Sequence, residues 1–218
     1  MASPSEPSLR LRRLRGLYAI VGGADPVGQA VAALGGGAGV IQVRLKDAPS
    51  GVVLQAARQV VELARGRALV IVNDRADLAV LSGADGVHLG DDDLPVAEAR
   101  RLLGPELLVG RTTRTLAEAQ AALDQGADHV GYGPIFTSRS KTLAVEPRGV
   151  PALRTLCAEL AAPVVAIGGI GLDTMGEVAA AGASAVAVIE DLFGRGDPEE
   201  RARLLAAAFR SRAQEPAR

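Results

Sequence analysis

Short aliphatic runs recur along this chain at a spacing that admits few folds. They read LYAIVG (17–22), VIQVRL (40–45), ALVIVN (68–73), DGVHLG (85–90), LLVGRT (107–112), HVGYGP (129–134), PVVAIGG (163–169) and AVAVIE (185–190). Between them lie stretches such as VVLQAARQVVELA, VAEARRLL, LAEAQAAL and LDTMGEVAAAG, with apolar residues three and four apart, which is helical periodicity. The pairs Gly83-Ala84, Gly126-Ala127 and Gly182-Ala183 precede several runs, as expected where glycine ends a helix in a left-handed conformation and turns the chain into a strand. Strands alternating with helices imply a parallel sheet. Five or six such units would favour an open, doubly wound sheet. Eight, in 218 residues, predict one closed (β/α)8 barrel, the TIM-barrel architecture, over residues 16–212. Residues 1–15 (MASPSEPSLRLRRLR) read as a flexible polar and basic tail, with Arg10, Arg12, Arg13 and Arg15 solvated, and 213–218 as a second tail.

Composition narrows the core and the partners. With three Phe, two Tyr and no Trp, the interior must be built from Val, Ile, Leu and Ala, which suits close packing of helices on a sheet. The net charge of −1 gives no global field to favour nucleic acid or an acidic membrane, so any anion must be held by local clusters. The single cysteine, Cys157, excludes an internal disulfide and a cysteine-based zinc site, and its helical context gives it a packing role. No apolar run approaches the roughly 18 residues that span a bilayer. The N-terminus has no signal-like apolar segment, so the cytosol is the expected compartment. No helix shows an apolar face wide enough to assign an oligomer.

A barrel of this kind places its active site at the C-terminal ends of the strands, and here almost every strand ends in polar residues. In Ile41-Gln42-Val43-Arg44-Leu45-Lys46, alternation sets Gln42, Arg44 and Lys46 on one face and the aliphatic residues on the other. An amide, a guanidinium and an ammonium then face the mouth, a set suited to phosphate oxygens. The third run ends in Asn73-Asp74-Arg75 and the fourth in His88-Leu89-Gly90-Asp91-Asp92-Asp93. Carboxylates opposite a basic strand suit Mg²⁺, which takes one or two of them and completes its shell with water and substrate phosphate. Two other roles remain open at this point. Asp74 could cap the helix RADLAVL, and Asp91–Asp93 could form a solvated loop capping PVAEARRLL. Neither histidine has a second within metal-ligand spacing: His88 is expected to hydrogen-bond locally and His129 to start a strand.

Further along, Gly110-Arg111-Thr112-Thr113 ends the fifth run. The long loop GPIFTSRSKTLAVEPRG carries Ser138, Ser140 and Lys141, hydroxyls beside a lysine that can clamp a phosphate or diphosphate. Ile167-Gly168-Gly169-Ile170 ends the seventh, where glycine lets backbone N–H groups approach an anion.

In register, these segments resemble the thiamine-phosphate synthase family from about Leu17 to Phe193. The matching stretches are QVRLK (42–46), NDR (73–75), DGVHLGDDDLP (85–95), the G-x-T segment at 110–112, GPIFTSRSK (133–141) and IGGI (167–170). The resemblance implies condensation of a (diphosphooxymethyl)pyrimidine with a (phosphooxyethyl)thiazole, giving thiamine phosphate and diphosphate. It also implies roles. Gln42, Arg44, Lys46 and Asn73 would hold the pyrimidine diphosphate, Lys141 would contact it, and Asp74 and Asp93 would bind Mg²⁺. Thr112, Ser138 and Ser140 keep hydroxyls where the family has serine and threonines, and Gly169 would offer its backbone to the thiazole phosphate. The small-molecule substrates are the partners implied.

Two departures stand out. Asp91 replaces the family's usual glutamine and adds negative charge beside the metal position. Ile189-Glu190 stands where serine is common after the eighth strand, so the Glu190 carboxylate must turn away or pair, with Arg139 or Arg148, while the Ile189 and Glu190 N–H groups serve the phosphate. Three rival functions have residues for or against them. A thiazole tautomerase needs a histidine near Gly133-Pro134, which proline cannot replace. A non-catalytic phosphate sensor fits Glu190 but not the intact Lys46, Asp74, Asp93 and Lys141. A Schiff-base aldolase would need a desolvated lysine, whereas Lys46 and Lys141 have charged or polar neighbours.

Overall fold

The computed structural model describes residues 6–137 and 146–213. A first helix, α1 (Glu6–Arg13), precedes the barrel. Then follow β1 (Gly16–Val21), α2 (Pro26–Gly35), β2 (Val40–Val43), α3 (Ser50–Ala64), β3 (Leu69–Asn73), α4 (Ala76–Ser82), β4 (Gly86–Leu89) and α5 (Val96–Leu103). The second half holds β5 (Leu108–Thr113), α6 (Leu116–Asp124), β6 (His129–Tyr132), α7 (Gly149–Glu159), β7 (Val164–Ala166), α8 (Leu172–Ala180), β8 (Ala185–Val188), α9 (Glu190–Phe193) and α10 (Pro198–Ala213). The strands pair in parallel in chain order, and β8 returns to β1 to close the expected eight-stranded barrel.

Strand alternation divides the core into two apolar clusters. Tyr18, Val40, Leu69, Ile71, Leu108, Val165, Ala185 and Ala187 fill the barrel interior. The intervening residues, among them Ala19, Ile41, Val43, Val70, Val72, Val87, Val109, Val130 and Val186, face outward and pack under the helices. Fully burying an aliphatic side chain of this size contributes about 1.5–3 kcal/mol. The helices meet the sheet through small residues: α3 buries Val53, Ala56, Ala57, Val60 and Ala64 at helical spacing. Gly83, Gly126 and Gly182 take φ of 74°, 101° and 100°, so the helix-to-strand turns are left-handed as the sequence predicts. Cys157 packs half-buried against the outer core, and burial pushes its thiol up to about 11, so it is no ready nucleophile.

The expectation of a tail over residues 1–15 is corrected for its described part. Residues 6–13 form α1, and Leu14 is buried with 2% exposure against Tyr18, Val40 and Leu69 at the N-terminal end of the barrel. Leu11 packs beside it, and Arg10 approaches Asp85 at 3.3 Å. Arg12, Arg13 and Arg15 are exposed, as expected of solvated charges. The amphipathic spacing of two leucines among arginines is what converts this segment into a plug. At the other end α10 runs to Ala213 and packs against α2 and α8. Gly36 permits that approach, since a Cβ there would lie 2.2 Å from the Ala202 methyl. Residues 214–218 lie outside the described residues. Among the described residues, no helix is long and apolar enough to cross a membrane.

Candidate active site

The strand register carries polar residues from several strands to one end of the barrel. Gln42 sits inside the barrel with 3% exposure, level with Ile20 and Ile71, and its amide donates to the Tyr18 hydroxyl at 2.8 Å. That bond leaves the amide oxygen available to a ligand and satisfies a buried phenol. Burial raises the Tyr18 pKa far above its usual value, so Tyr18 stays neutral. β2 ends at Val43, so Arg44 and Lys46 extend past it. The Arg44 N–H donates to the Val21 carbonyl at 2.9 Å, and Lys46 is exposed. Gly22 makes this approach possible, because a Cβ there would meet the Arg44 carbonyl oxygen at 2.4 Å.

Asp74 follows β3 in a left-handed conformation, φ 64°, unusual for a residue with a side chain. Its N–H donates to the His88 carbonyl at 2.8 Å, which ties it to β4. The capping role left open by the sequence is not taken: Arg75 caps α4, with no side-chain cap bond. Arg75 turns away from the mouth to Asp77 (2.6 Å) and Ser50 (2.8 Å). Asp93 likewise does not cap α5, whose cap is Pro95. Asp93 folds back toward β4, its Oδ2 accepting from the Gly90 N–H at 2.6 Å. Burial, then the Asp93 carboxylate beside it, push Asp74 up to about 6, while Lys46 and Arg44 pull it down. The Asp93 carboxylate and the Lys46 and Arg44 cations therefore all act on Asp74.

This donor set fits a hard divalent cation. It offers carboxylate oxygens whose mutual repulsion a cation would relieve, and no third His, Cys, Asp or Glu joins them among the described residues. Such an ion would draw its remaining ligands from water and phosphate, which is the usual habit of Mg²⁺.

Asp91 does not add free charge to this pair. Its carboxylate meets Arg114 at 2.6 Å and Arg111 at 3.4 Å, partners on or just beyond β5 that the sequence reading did not assign. Arg111 also donates to the Gly90 carbonyl. The signal was present as two arginines flanking Thr112-Thr113, but only the strand pairing Leu89↔Arg111 brings them to Asp91.

Thr112 faces inward, and its hydroxyl lies 2.9 Å from the His88 Nε2. His88 thus bonds to a neighbouring strand, and His129 starts β6 as expected, with both ring nitrogens buried and unpartnered among the described residues. The rings lie 6.1 Å apart, over the space Gly110 leaves open: a Cβ there would be 2.3 Å from the His129 Nε2. Burial lowers His88 to about 4 and His129 to about 3, so both are neutral imidazoles. Sequence reasoning missed this interior pair and the Tyr18–Gln42 bond.

On the opposite side of the mouth, Gly168 and Gly169 take φ of 90° and 66°. The Phe136 N–H donates to the Gly168 carbonyl at 3.1 Å, and a Cβ on Gly169 would lie 2.8 Å from the Phe136 and Thr137 carbonyl oxygens. Ile189 and Glu190 lie at the start of the short helix α9, both exposed. Among the described residues no ion pair joins Glu190 to Arg148, one of the two partners considered; the other, Arg139, lies outside them. Ser138, Ser140 and Lys141 also lie outside them.

Fold and mouth together define a (β/α)8 barrel with an acid pair, cations and glycine-rich backbone around its C-terminal opening. A family model described as thiamine monophosphate synthase matches residues 17–192. The chain is 70% identical over 200 residues to the thiamine-phosphate synthase of Anaeromyxobacter dehalogenans (strain 2CP-C), covering 92% of this chain and 90% of that protein. It is 43% identical over 215 residues to the thiamine-phosphate synthase of Myxococcus xanthus (strain DK1622), covering 96% and 97%. The solved thiamine phosphate pyrophosphorylase from Pyrococcus furiosus matches with a TM-score of 0.84 at 34% identity, over 92% of this chain and 98% of that one. A 3-hexulose-6-phosphate synthase matches with a TM-score of 0.68 at 19% identity, which speaks for the fold alone. The chain belongs to the thiamine monophosphate synthase family.

Proposed function

We propose that this protein is a thiamine-phosphate synthase, an alkyl transferase that joins a (diphosphooxymethyl)pyrimidine to a (phosphooxyethyl)thiazole. Family membership supports the activity. The observation that carries the site assignment is that the paired strands β2, β3 and β4 lead into Arg44 and Lys46, into Asp74, and into Asp93 folded back on Gly90.

Arg44, Lys46 and, following β6 in the sequence, Lys141 bind the diphosphate. Gln42 and Asn73 orient the pyrimidine end, and the Thr112 hydroxyl, held by His88, adds a further contact. Asp74 and Asp93 would hold Mg²⁺, which when bound supplies positive charge to the leaving diphosphate. The methylene C–O bond breaks and its electron pair leaves with diphosphate, giving a cation stabilised by the pyrimidine amino group. The thiazole nitrogen then donates its lone pair to form the C–N bond. The side chains neutralise developing negative charge and align the two rings, and no protein nucleophile is required. The thiazole phosphate rests on the backbone of Gly169, Ile189 and Glu190, with Ser138 and Ser140 completing its contacts. Glu190 is exposed, so water and salt screen its repulsion of phosphate. A cytosolic setting belongs to the same proposal and suits a free Cys157 thiol.

The metal assignment is tested by Asp93→Ala, which should abolish turnover; activity with unchanged Mg²⁺ dependence would contradict it. The tautomerase alternative is tested by supplying the thiazole tautomer alone, which this protein should leave unchanged.

A further inference from the structure

We infer that Arg111, braced by Asp91, is a positioning residue that sets the metal-facing geometry of Asp93. The inference rests on the reading of Asp74 and Asp93 as the metal pair, and adds to it a device outside the family's site residues. The turn Gly90–Asp93 is closed twice, by the Asp93 N–H donating to the Gly90 carbonyl (3.4 Å) and by the Gly90 N–H donating to Asp93 Oδ2 (2.6 Å). One carboxylate oxygen of Asp93 is thus fixed to the backbone, which fixes the direction of the other. Gly90 in turn is held from outside the turn: Arg111 Nη1 donates to its carbonyl.

The same guanidinium reaches Asp91 through Nη2 at 3.4 Å, and Asp91 is gripped from its far side by Arg114 at 2.6 Å. Arg111 sits on β5 directly beside Leu89, the last residue of β4, so the clamp is built on paired barrel strands rather than on a loop. Its side chain is 22% exposed, so these contacts are partly shielded from water. Asp91, the departure from the family's usual glutamine, is the counter-charge that keeps Arg111 on the turn and off the metal. Outer partners of this kind typically change metal affinity by about 10–100-fold when removed.

The sign of the effect separates positioning from simple charge. Arg111 is a cation near a cation site, so through its field alone its removal would tighten metal binding. Through the turn, its removal loosens Asp93 and weakens binding. Mn²⁺ titrated into the full chain with inorganic diphosphate, read by electron paramagnetic resonance, measures this without turnover. Arg111→Met should raise the Mn²⁺ dissociation constant about 10-fold or more, and Asp91→Ser should do so to a lesser degree, with KM for the thiazole phosphate unchanged. Arg111→Lys should recover part of the affinity, because an ammonium can hold the Gly90 carbonyl or Asp91 but not both in one plane. Unchanged or tighter Mn²⁺ binding in Arg111→Met, with binding lost in Asp93→Asn, overturns the inference and leaves the metal pair standing. Wild-type Mn²⁺ binding in Asp93→Asn overturns the metal reading and the inference together. If Arg111→Met does not fold, Asp91→Ser and Arg111→Lys decide the question by the same measurement.

Discussion

Asp74, one residue past β3, stands beside Asp93, in the turn after β4, and burial together with the Asp93 carboxylate pushes Asp74 up to about 6. A carboxyl whose folded pKa lies above its unfolded value of 3.8 stabilises the fold at low pH, and that contribution is lost as pH rises through about 6. The protein therefore carries the charged Asp74 at a cost near neutrality, which a divalent cation bound as proposed would relieve.

The shift in melting temperature produced by Mg²⁺ with inorganic diphosphate should accordingly grow as pH rises from about 5 to about 7.5, because the cation must displace the Asp74 proton at the lower pH. Thermal melts with and without the pair of ligands at each pH check this. An equal shift at both pH values would contradict the account of Asp74.

The interior histidines act in the opposite sense. His88 at about 4 and His129 at about 3 lie below their ordinary 6.5, because burial disfavours the imidazolium. Their stabilisation is present above 6.5 and is lost as pH falls through the folded values, at roughly 1.4 kcal/mol per pH unit for each proton that only the unfolded chain binds. His129→Leu should remove one proton from that slope in urea melts between pH 6 and 4. At pH 7 it should be near neutral, since both His129 ring nitrogens are unpartnered. A large loss at pH 7 would show that His129 has a polar partner.

Leu14→Ala should destabilise the fold by about 2–4 kcal/mol, the range for a buried leucine that cannot be replaced by collapse of its surroundings. A solvated tail would give less than about 0.5 kcal/mol. Denaturant unfolding distinguishes the two.

Gly169→Ala meets a backbone that tolerates no Cβ, at φ 66° and 2.8 Å from the carbonyl oxygens of Phe136 and Thr137. It should cost about 1–3 kcal/mol of stability. It should also raise KM for the thiazole phosphate more than KM for the pyrimidine diphosphate. An equal rise in both would remove Gly169 from the thiazole-phosphate side.

The barrel was legible because its strands are short aliphatic runs of period two, and the same period placed Gln42 and Arg44 toward the mouth. The Asp74–Asp93 pair was legible only as two acids at neighbouring strand ends; that neither caps the helix after it depended on backbone geometry that no spacing encodes. α1 was hidden because its arginines dominate its composition while Leu11 and Leu14 do the packing. The fate of Asp91 was hidden for a different reason. Its partners Arg111 and Arg114 lie beyond a helix in sequence and become neighbours only through the β4–β5 register. The roles of Ser138, Ser140 and Lys141 rest on the family resemblance.

The most direct test of the account is turnover itself. Purified protein with Mg²⁺ and both phosphorylated halves, followed by mass spectrometry, should form thiamine phosphate and diphosphate in equal amounts and stop on addition of EDTA. No product at millimolar concentrations of both substrates would contradict the synthase assignment.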